Sequence, residues 1–159
     1  MGVSIMPAQS VTVKQEFECV YFLESENETI DINAHRYRVE VTVYRKNSFC
    51  NRVVEFSNLQ SILKSILPDN KYLYSDDPGT TQYIIGQLLE HSSKNTICEK
   101  LKFEICAENI CNWIANNLQI TLDTEYAKNI QVTDVVLREN SQCYVNWHKV
   151  NINQEVSNV

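Results

Sequence analysis

The sequence predicts an α+β fold in which helices cover one face of an antiparallel sheet. Three observations predict it. Two long N-terminal segments alternate apolar and polar residues, with a polar acidic turn between them. The apolar period then lengthens to that of a helix in two separate stretches. Two more alternating segments follow the second of these stretches. Sheets and helices with one apolar face must bury it against each other, which makes the layered arrangement the economical solution.

Each element has its own signal. "SVTVKQEFECVYFL", Ser10 to Leu23, is rich in Val, Phe and Tyr and places Phe17, Cys19 and Tyr21 on one face, as a long strand does. "ESENET" is a turn, and a second strand from about His35 to Tyr44 carries Tyr37, Val39, Val41 and Val43 on one face. In "EFSNLQSILKSILP", Leu59, Ile62, Leu63, Ile66 and Leu67 form a helical stripe, with Ser57 and Gln60 spaced as a capping box and Pro68 as the stop. "SDDPGT" reads as a turn and "TTQYIIGQLLEHSS" as a short helix weakened by Gly86. Lys100 to Ile105 alternates as a short strand. Ile110, Ile114 and Leu118 then mark a second amphipathic helix. "NIQVTDVVLRE" and "QCYVNWHKV" are the last two strands, with a turn near Asn140 and Ser141.

Composition narrows the class. The chain has 159 residues, 43% of them hydrophobic and 21% charged, enough for one core and ordinary for a globular domain. With only three glycines and three prolines, a low-complexity chain is not expected. The reading is one domain over residues 10–150 and a polar tail over 151–159. Net charge of −6 and a pI near 5.1 argue against nucleic acid as a partner. No apolar run reaches membrane-spanning length, and the start lacks the pattern of a signal peptide, so a cytoplasmic protein without a membrane partner is expected. Six cysteines without a C-x-x-C pair read as buried thiols.

Five segments resemble the 6-pyruvoyl-tetrahydropterin synthase family, which includes the 6-carboxy-tetrahydropterin synthases. "AHRYRVEVTV" is similar to the family's H-G-H-x-Y-R-V-E-V-T-V, and "VVEFSNLQSIL" to its M-V-x-D-F-x-D-L-K. "LPDNKYL" resembles L-D-H-K-x-L, "CAENICNWI" resembles T-A-E-N-x-A-x-W-I, and "VVLRENSQCYV" resembles V-x-V-x-E-T. The resemblance runs from about Phe17 to Tyr144. It implies the tunnelling fold: a four-stranded antiparallel sheet with two helices between its second and third strands. Such sheets close a barrel in homo-oligomers, as trimers usually stacked into hexamers. It also implies a pterin site with zinc held by three histidines.

Residue by residue, the carry-over is partial. Tyr21 stands where the family's first zinc histidine ends strand one. Asn33-Ala34-His35 replaces H-G-H, so only His35 remains as a candidate metal ligand, and an ordinary strand histidine is the favoured reading of it. Cys19, on the face of Tyr21, is a further candidate ligand. The loop "ESENETIDI" has no cysteine where the family has its thiol base. The partner histidine is replaced by Asn70, leaving Asp69 as the one matching catalytic position. Glu139 matches the glutamate that grips the ring, and Cys106 stands where a ring-contacting Thr is frequent. Outside the resemblance, Glu139 reads as a solvated turn residue and Glu108 as a first-turn acid facing the helix dipole. His91 and His148 read as surface residues without partners.

The expectation is therefore a relative that has lost zinc, its usual cofactor, together with the lyase reaction. It keeps a pocket for a pterin- or purine-like ring. The alternatives are an active pterin lyase with a rebuilt metal site, and a structural oligomer without a ligand. The stretch from about Ser75 to Lys100 is longer than the family's usual link and has no assigned role.

Overall fold

A long β-hairpin organises the molecule: β1 (Ser10–Glu24) and β2 (Ile30–Arg45) pair antiparallel along their whole length. The structure, a computed structural model, describes residues 9–46, 52–92 and 97–150. The tail 151–159, Cys50 and the first eight residues lie outside that range. The hairpin turn is closed by Ser25 N–H donating to the Thr29 carbonyl at 2.8 Å, with Glu28 at a φ of 58°.

The remaining elements are α1 (Phe56–Ile66), β3 (Lys71–Ser75), α2 (Thr81–Glu90), β4 (Cys98–Leu101), α3 (Ala107–Glu125), β5 (Ile130–Arg138) and β6 (Tyr144–His148). The strands form one six-stranded sheet in the order β4-β3-β1-β2-β5-β6. β2–β5 and β5–β6 are antiparallel, while β1–β3 and β3–β4 are parallel. The expected four-stranded antiparallel sheet with two helices is thus corrected to a mixed six-stranded sheet with three helices. The added pieces all come from the stretch between α1 and α3. Pro68 ends α1, and the turn at Asp69-Asn70, with Asn70 at a φ of 58°, sets β3 beside Cys19 and Val20.

Two boundaries also differ from expectation. The capping box on Ser57 and Gln60 does not form. The chain is extended at Glu55, whose carbonyl accepts the first helical bond from Leu59 N–H at 3.0 Å, so Ser57 lies inside the first turn. The strand expected over Lys100–Ile105 ends at Leu101, because its partner β3 ends at Ser75. α3 is longer than expected. Its stripe of Ile110, Ile114 and Leu118 continues to Leu122, and the chain turns away at Ala127 and Lys128, both at positive φ.

α1 and α3 share one face of the sheet, where Phe17, Tyr37, Val39, Val41, Val43, Val135 and Leu137 are buried against Leu59, Leu63, Ile110, Ile114, Leu118 and Leu122. α2 lies on the other face instead, its Gly86 on Tyr74 and its Thr81 bonded to Glu24, because same-face residues alternate along β1 and β3. The opposite face of the hairpin is a ladder of charge pairs: Lys14–Glu40 at 3.5 Å, Arg38–Glu16 at 2.9 Å and Arg36–Glu18 at 2.5 Å. Exposed pairs of this kind contribute about 0–1 kcal/mol each. The fold's stability therefore comes from the helix side.

Gly86 explains how α2 reaches the sheet. A Cβ there would sit 2.0 Å from Tyr74 Cδ2 and 2.5 Å from its Cγ, near the root of a buried ring that cannot swing aside. The Tyr74 hydroxyl is also tied to Glu90. Gly86→Ala recovers ~1 kcal/mol of helix propensity. Overpacking of a filled core costs about 1–3 kcal/mol or more. Urea denaturation should show net destabilisation of about 1–2 kcal/mol; an Ala variant as stable as the parent would contradict this packing.

Candidate functional site

The residues singled out at the end of the hairpin converge on the helix-facing side of the sheet. In the β1–β2 register Cys19 faces His35 and Tyr21 faces Asn33. Tyr21, Asn33 and His35 are therefore neighbours, since same-face residues recur every second position and cross-strand partners lie side by side. The Tyr21 and His35 rings are 5.8 Å apart and those of His35 and Tyr37 are 5.5 Å apart. Glu139, just past the end of β5, reaches the same place: its Oε1 lies 3.1 Å from His35 Nδ1. Cys106, the residue before α3, lies within electrostatic reach of Tyr21, as does Glu139.

Tyr21 is not exposed as a free ligand. Its hydroxyl shares a 3.1 Å hydrogen bond with that of Tyr37, and both phenols are buried. Burial is the main reason both titrate above the ordinary tyrosine range. The Cys19 thiol is pushed up to about 12, first by burial and then by the Asp69 carboxylate. It is a protonated thiol at neutral pH. Cys106 is also raised, chiefly by burial, although the amides of Asn109 and Glu108 favour its charged form.

These groups do not fit a zinc ion. Catalytic zinc takes about three N, S or carboxylate ligands and keeps one position open. Here the neighbouring positions offer one imidazole whose Nδ1 is engaged by the Glu139 carboxylate, a phenol engaged with another phenol, the Asn33 amide and the protonated Cys19 thiol. Among the described residues no group of three or more His, Cys, Asp or Glu is placed to hold a metal.

Asp69 has a local task. Its Oδ1 accepts from Glu18 N–H at 2.9 Å, and Asn70 N–H donates to the Glu18 carbonyl at 2.7 Å. Together they satisfy the edge of β1 where β3 begins. Asp69→Ala should lower stability by about 1 kcal/mol, the ordinary worth of one such bond, in a thermal or urea melt. Ring affinity should be untouched; a large loss of affinity in a stable variant would return Asp69 to the site. Of the other histidines, His91 caps the end of α2. His148, expected to lack a partner, pairs through Nδ1 with the Asp134 carboxylate across β5–β6.

Two features escaped the sequence reading. Tyr37 shares a face with Val39, Val41 and Val43 in the sequence pattern, but its link to Tyr21 depends on hairpin register. Glu139 and His35 were named separately, and their contact depends on how β5 lies against β2.

The fold is shared with known structures. A catalytic-residue mutant of 6-pyruvoyltetrahydropterin synthase from Plasmodium vivax matches with a TM-score of 0.70 at 15% identity, covering 91% of this chain and 99% of that one. The 6-pyruvoyl tetrahydropterin synthase of Plasmodium falciparum matches at 0.65 and 20% identity, over 89% and 98%. That of Caenorhabditis elegans matches at 0.57 and 12%, over 91% and 98%. These likenesses define the class as an α+β sheet protein of the synthase fold. The sequence profile of 6-pyruvoyl tetrahydropterin synthase matches residues 10–149, and the chain belongs to that family. No curated protein sequence matches it at the significance required. No helix among the described residues is long and apolar enough to cross a membrane.

Proposed function

We propose that this family member binds a pterin- or purine-like ring on Glu139 without zinc and without the family's lyase reaction. It does so in a barrel-closing homo-oligomer, a trimer or a hexamer. One observation carries the reading: Tyr21 stands at the metal-ligand position, bonded to Tyr37, while the remaining histidine turns to Glu139 instead of to a metal. A carboxylate at the mouth of such a site can accept two charge-assisted bonds from the amino and imino groups of a ring. His35 holds that carboxylate and so fixes its direction. Cys106 lies beside the same face. Barrel closure would cover the edges that the sheet leaves open.

The test pairs a fluorescence titration with neopterin and an assay with dihydroneopterin triphosphate. Saturable binding without turnover or bound zinc supports the reading. Turnover by a metal-loaded preparation overturns it.

A second reading has one observation in its favour. Two of the Plasmodium vivax structures are of catalytic-residue mutants in which a glutamate is exchanged. The hairpin turn here carries Glu26 and Glu28 ahead of Asn33 and His35. Under that reading a carboxylate takes the place of the missing thiol base, and Glu26→Gln or Glu28→Gln would abolish whatever turnover the assay finds.

A further inference from the structure

The stretch between α1 and α3, longer than the family's usual link, ends close to the site, and one buried side chain in it has no role so far. Gln82 lies in the first turn of α2 and is only 3% exposed. Its amide both donates to and accepts from a single residue outside its own helix. Gln82 Nε2 donates to the Ile105 carbonyl at 3.0 Å, and Ile105 N–H donates to Gln82 Oε1 at 2.6 Å. The side chain behaves as one rung of a strand, offered to a backbone that has no strand beside it. Ile105 is fully buried, and an unmet amide there would carry a desolvation penalty.

The position of that rung matters. The segment from residue 102 to 106 joins β4 to α3 without regular structure. Its other backbone ties come from α3 itself: Asn109 Nδ2 to the Glu104 carbonyl at 2.9 Å and Ile110 N–H to the Cys106 carbonyl at 2.9 Å. Among the described residues, Gln82 is the side chain from another element that holds this link. The residue after Ile105 is Cys106. α2 is itself tied to the sheet at two points, by Thr81 Oγ1 donating to Glu24 Oε2 at 2.6 Å and by Gly86 lying on the Tyr74 ring. A rigid path thus runs from the end of β1, through α2 and the Gln82 amide, to the start of α3.

We propose that Gln82 is a positioning residue, whose amide sets where Cys106 and the first turn of α3 stand relative to Tyr21, His35 and Glu139. The extra stretch of chain then serves the site by holding, from the far side of the sheet, the link that leads into α3. The inference rests on the ring-binding reading for its ligand readout alone; its structural readout is independent.

The test uses the full chain and two substitutions. Gln82→Leu keeps the volume and removes both bonds. Gln82→Glu keeps both when its acid is neutral, since a carboxylic acid donates and accepts as the amide does, and loses the donor when ionised. The first readout is the alkylation rate of Cys106 by iodoacetamide, measured by peptide mass spectrometry and divided by that of the exposed Cys143 in the same sample. The second is neopterin affinity.

A folded Gln82→Leu should raise the Cys106 ratio several-fold, because burial is what chiefly suppresses that thiol, and weaken neopterin about tenfold, or about 1.4 kcal/mol. Gln82→Glu should match the parent near about pH 5, where burial keeps its acid neutral, and match the Leu variant near about pH 8. A merely space-filling role predicts no such pH dependence. An unchanged ratio in a folded Leu variant overturns the proposal. So does a Glu variant indifferent to pH, which decides the matter should the Leu variant fail to fold. Absence of neopterin binding in the parent removes the ring reading alone, and the Cys106 ratio still decides the role of Gln82.

Discussion

Glu139→Gln is expected to weaken neopterin binding by about a hundredfold, roughly 2.7 kcal/mol. The ring would lose two bonds to a charged acceptor, each worth about 1.5–3 kcal/mol. The new amide would also turn one N–H toward a ring N–H, an opposed pair of donors. A second effect partly offsets this: His35 loses its carboxylate partner and no longer competes for the position. A fluorescence titration of parent and variant, with circular dichroism to confirm the fold, measures it. Equal affinity in the two would make Glu139 a turn residue steadied by His35. Binding by neither would leave the fold as a scaffold for partners.

The second large effect concerns metal. Tyr21 and Asn33 face each other across the hairpin and His35 is their same-face neighbour. The double substitution Tyr21→His with Asn33→His therefore assembles three imidazoles on adjacent rungs. The parent is expected to hold no stoichiometric zinc. The double variant is expected to bind one zinc per chain with a Kd of about 1 μM or tighter, corresponding to roughly 8 kcal/mol. That lies below the ~10–16 kcal/mol of evolved structural sites, because the variant gives up the Tyr21–Tyr37 bond and has no hydrogen-bond partners arranged to orient its new imidazoles. Calorimetry on metal-free protein, checked by elemental analysis, reads both proteins. Stoichiometric, tight zinc in the parent would sink the metal-free reading outright.

Much of this was legible in the chain because alternation is a local signal. The stretches that became β1, β2, β5 and α3 announce themselves by which side of each residue is apolar, and their faces matched the core. β3 was not legible. Five residues, "KYLYS", are too few to show a period, and its parallel partners Cys19 and Cys98 lie far away in the chain. The start of α1 was misread because Ser57 and Gln60 have capping chemistry at the right spacing, while the actual boundary depends on where the chain stops being extended, at Glu55. The site was half legible. His35, Glu139 and Cys106 could be named by type and motif, and the structure brings them together. Asp69 could be named too, but its role in satisfying the β1 edge required a partner fifty-one positions away. No local pattern could pair Gln82 with a backbone that follows it by twenty-three residues.

The ladder of charge pairs on the open side of the sheet has a consequence for how this chain keeps company. Among the described residues β3 borders β1 at Cys19 and Val20, and beyond these and the ties from Asp69 and Asn70 to Glu18 much of the outer edge of β1 has no strand partner. An edge like that recruits any extended peptide that drifts past, including unfolded chains in a crowded cell. Lys14, Glu16 and Glu18 stand along this border, each answered across β2 by a charge of opposite sign. A stray hydrophobic strand docking there would have to lay its side chains beside that row. A second edge whose own charges continued the alternation would meet no such obstacle, so the ladder would favour a matched sheet over a stranger.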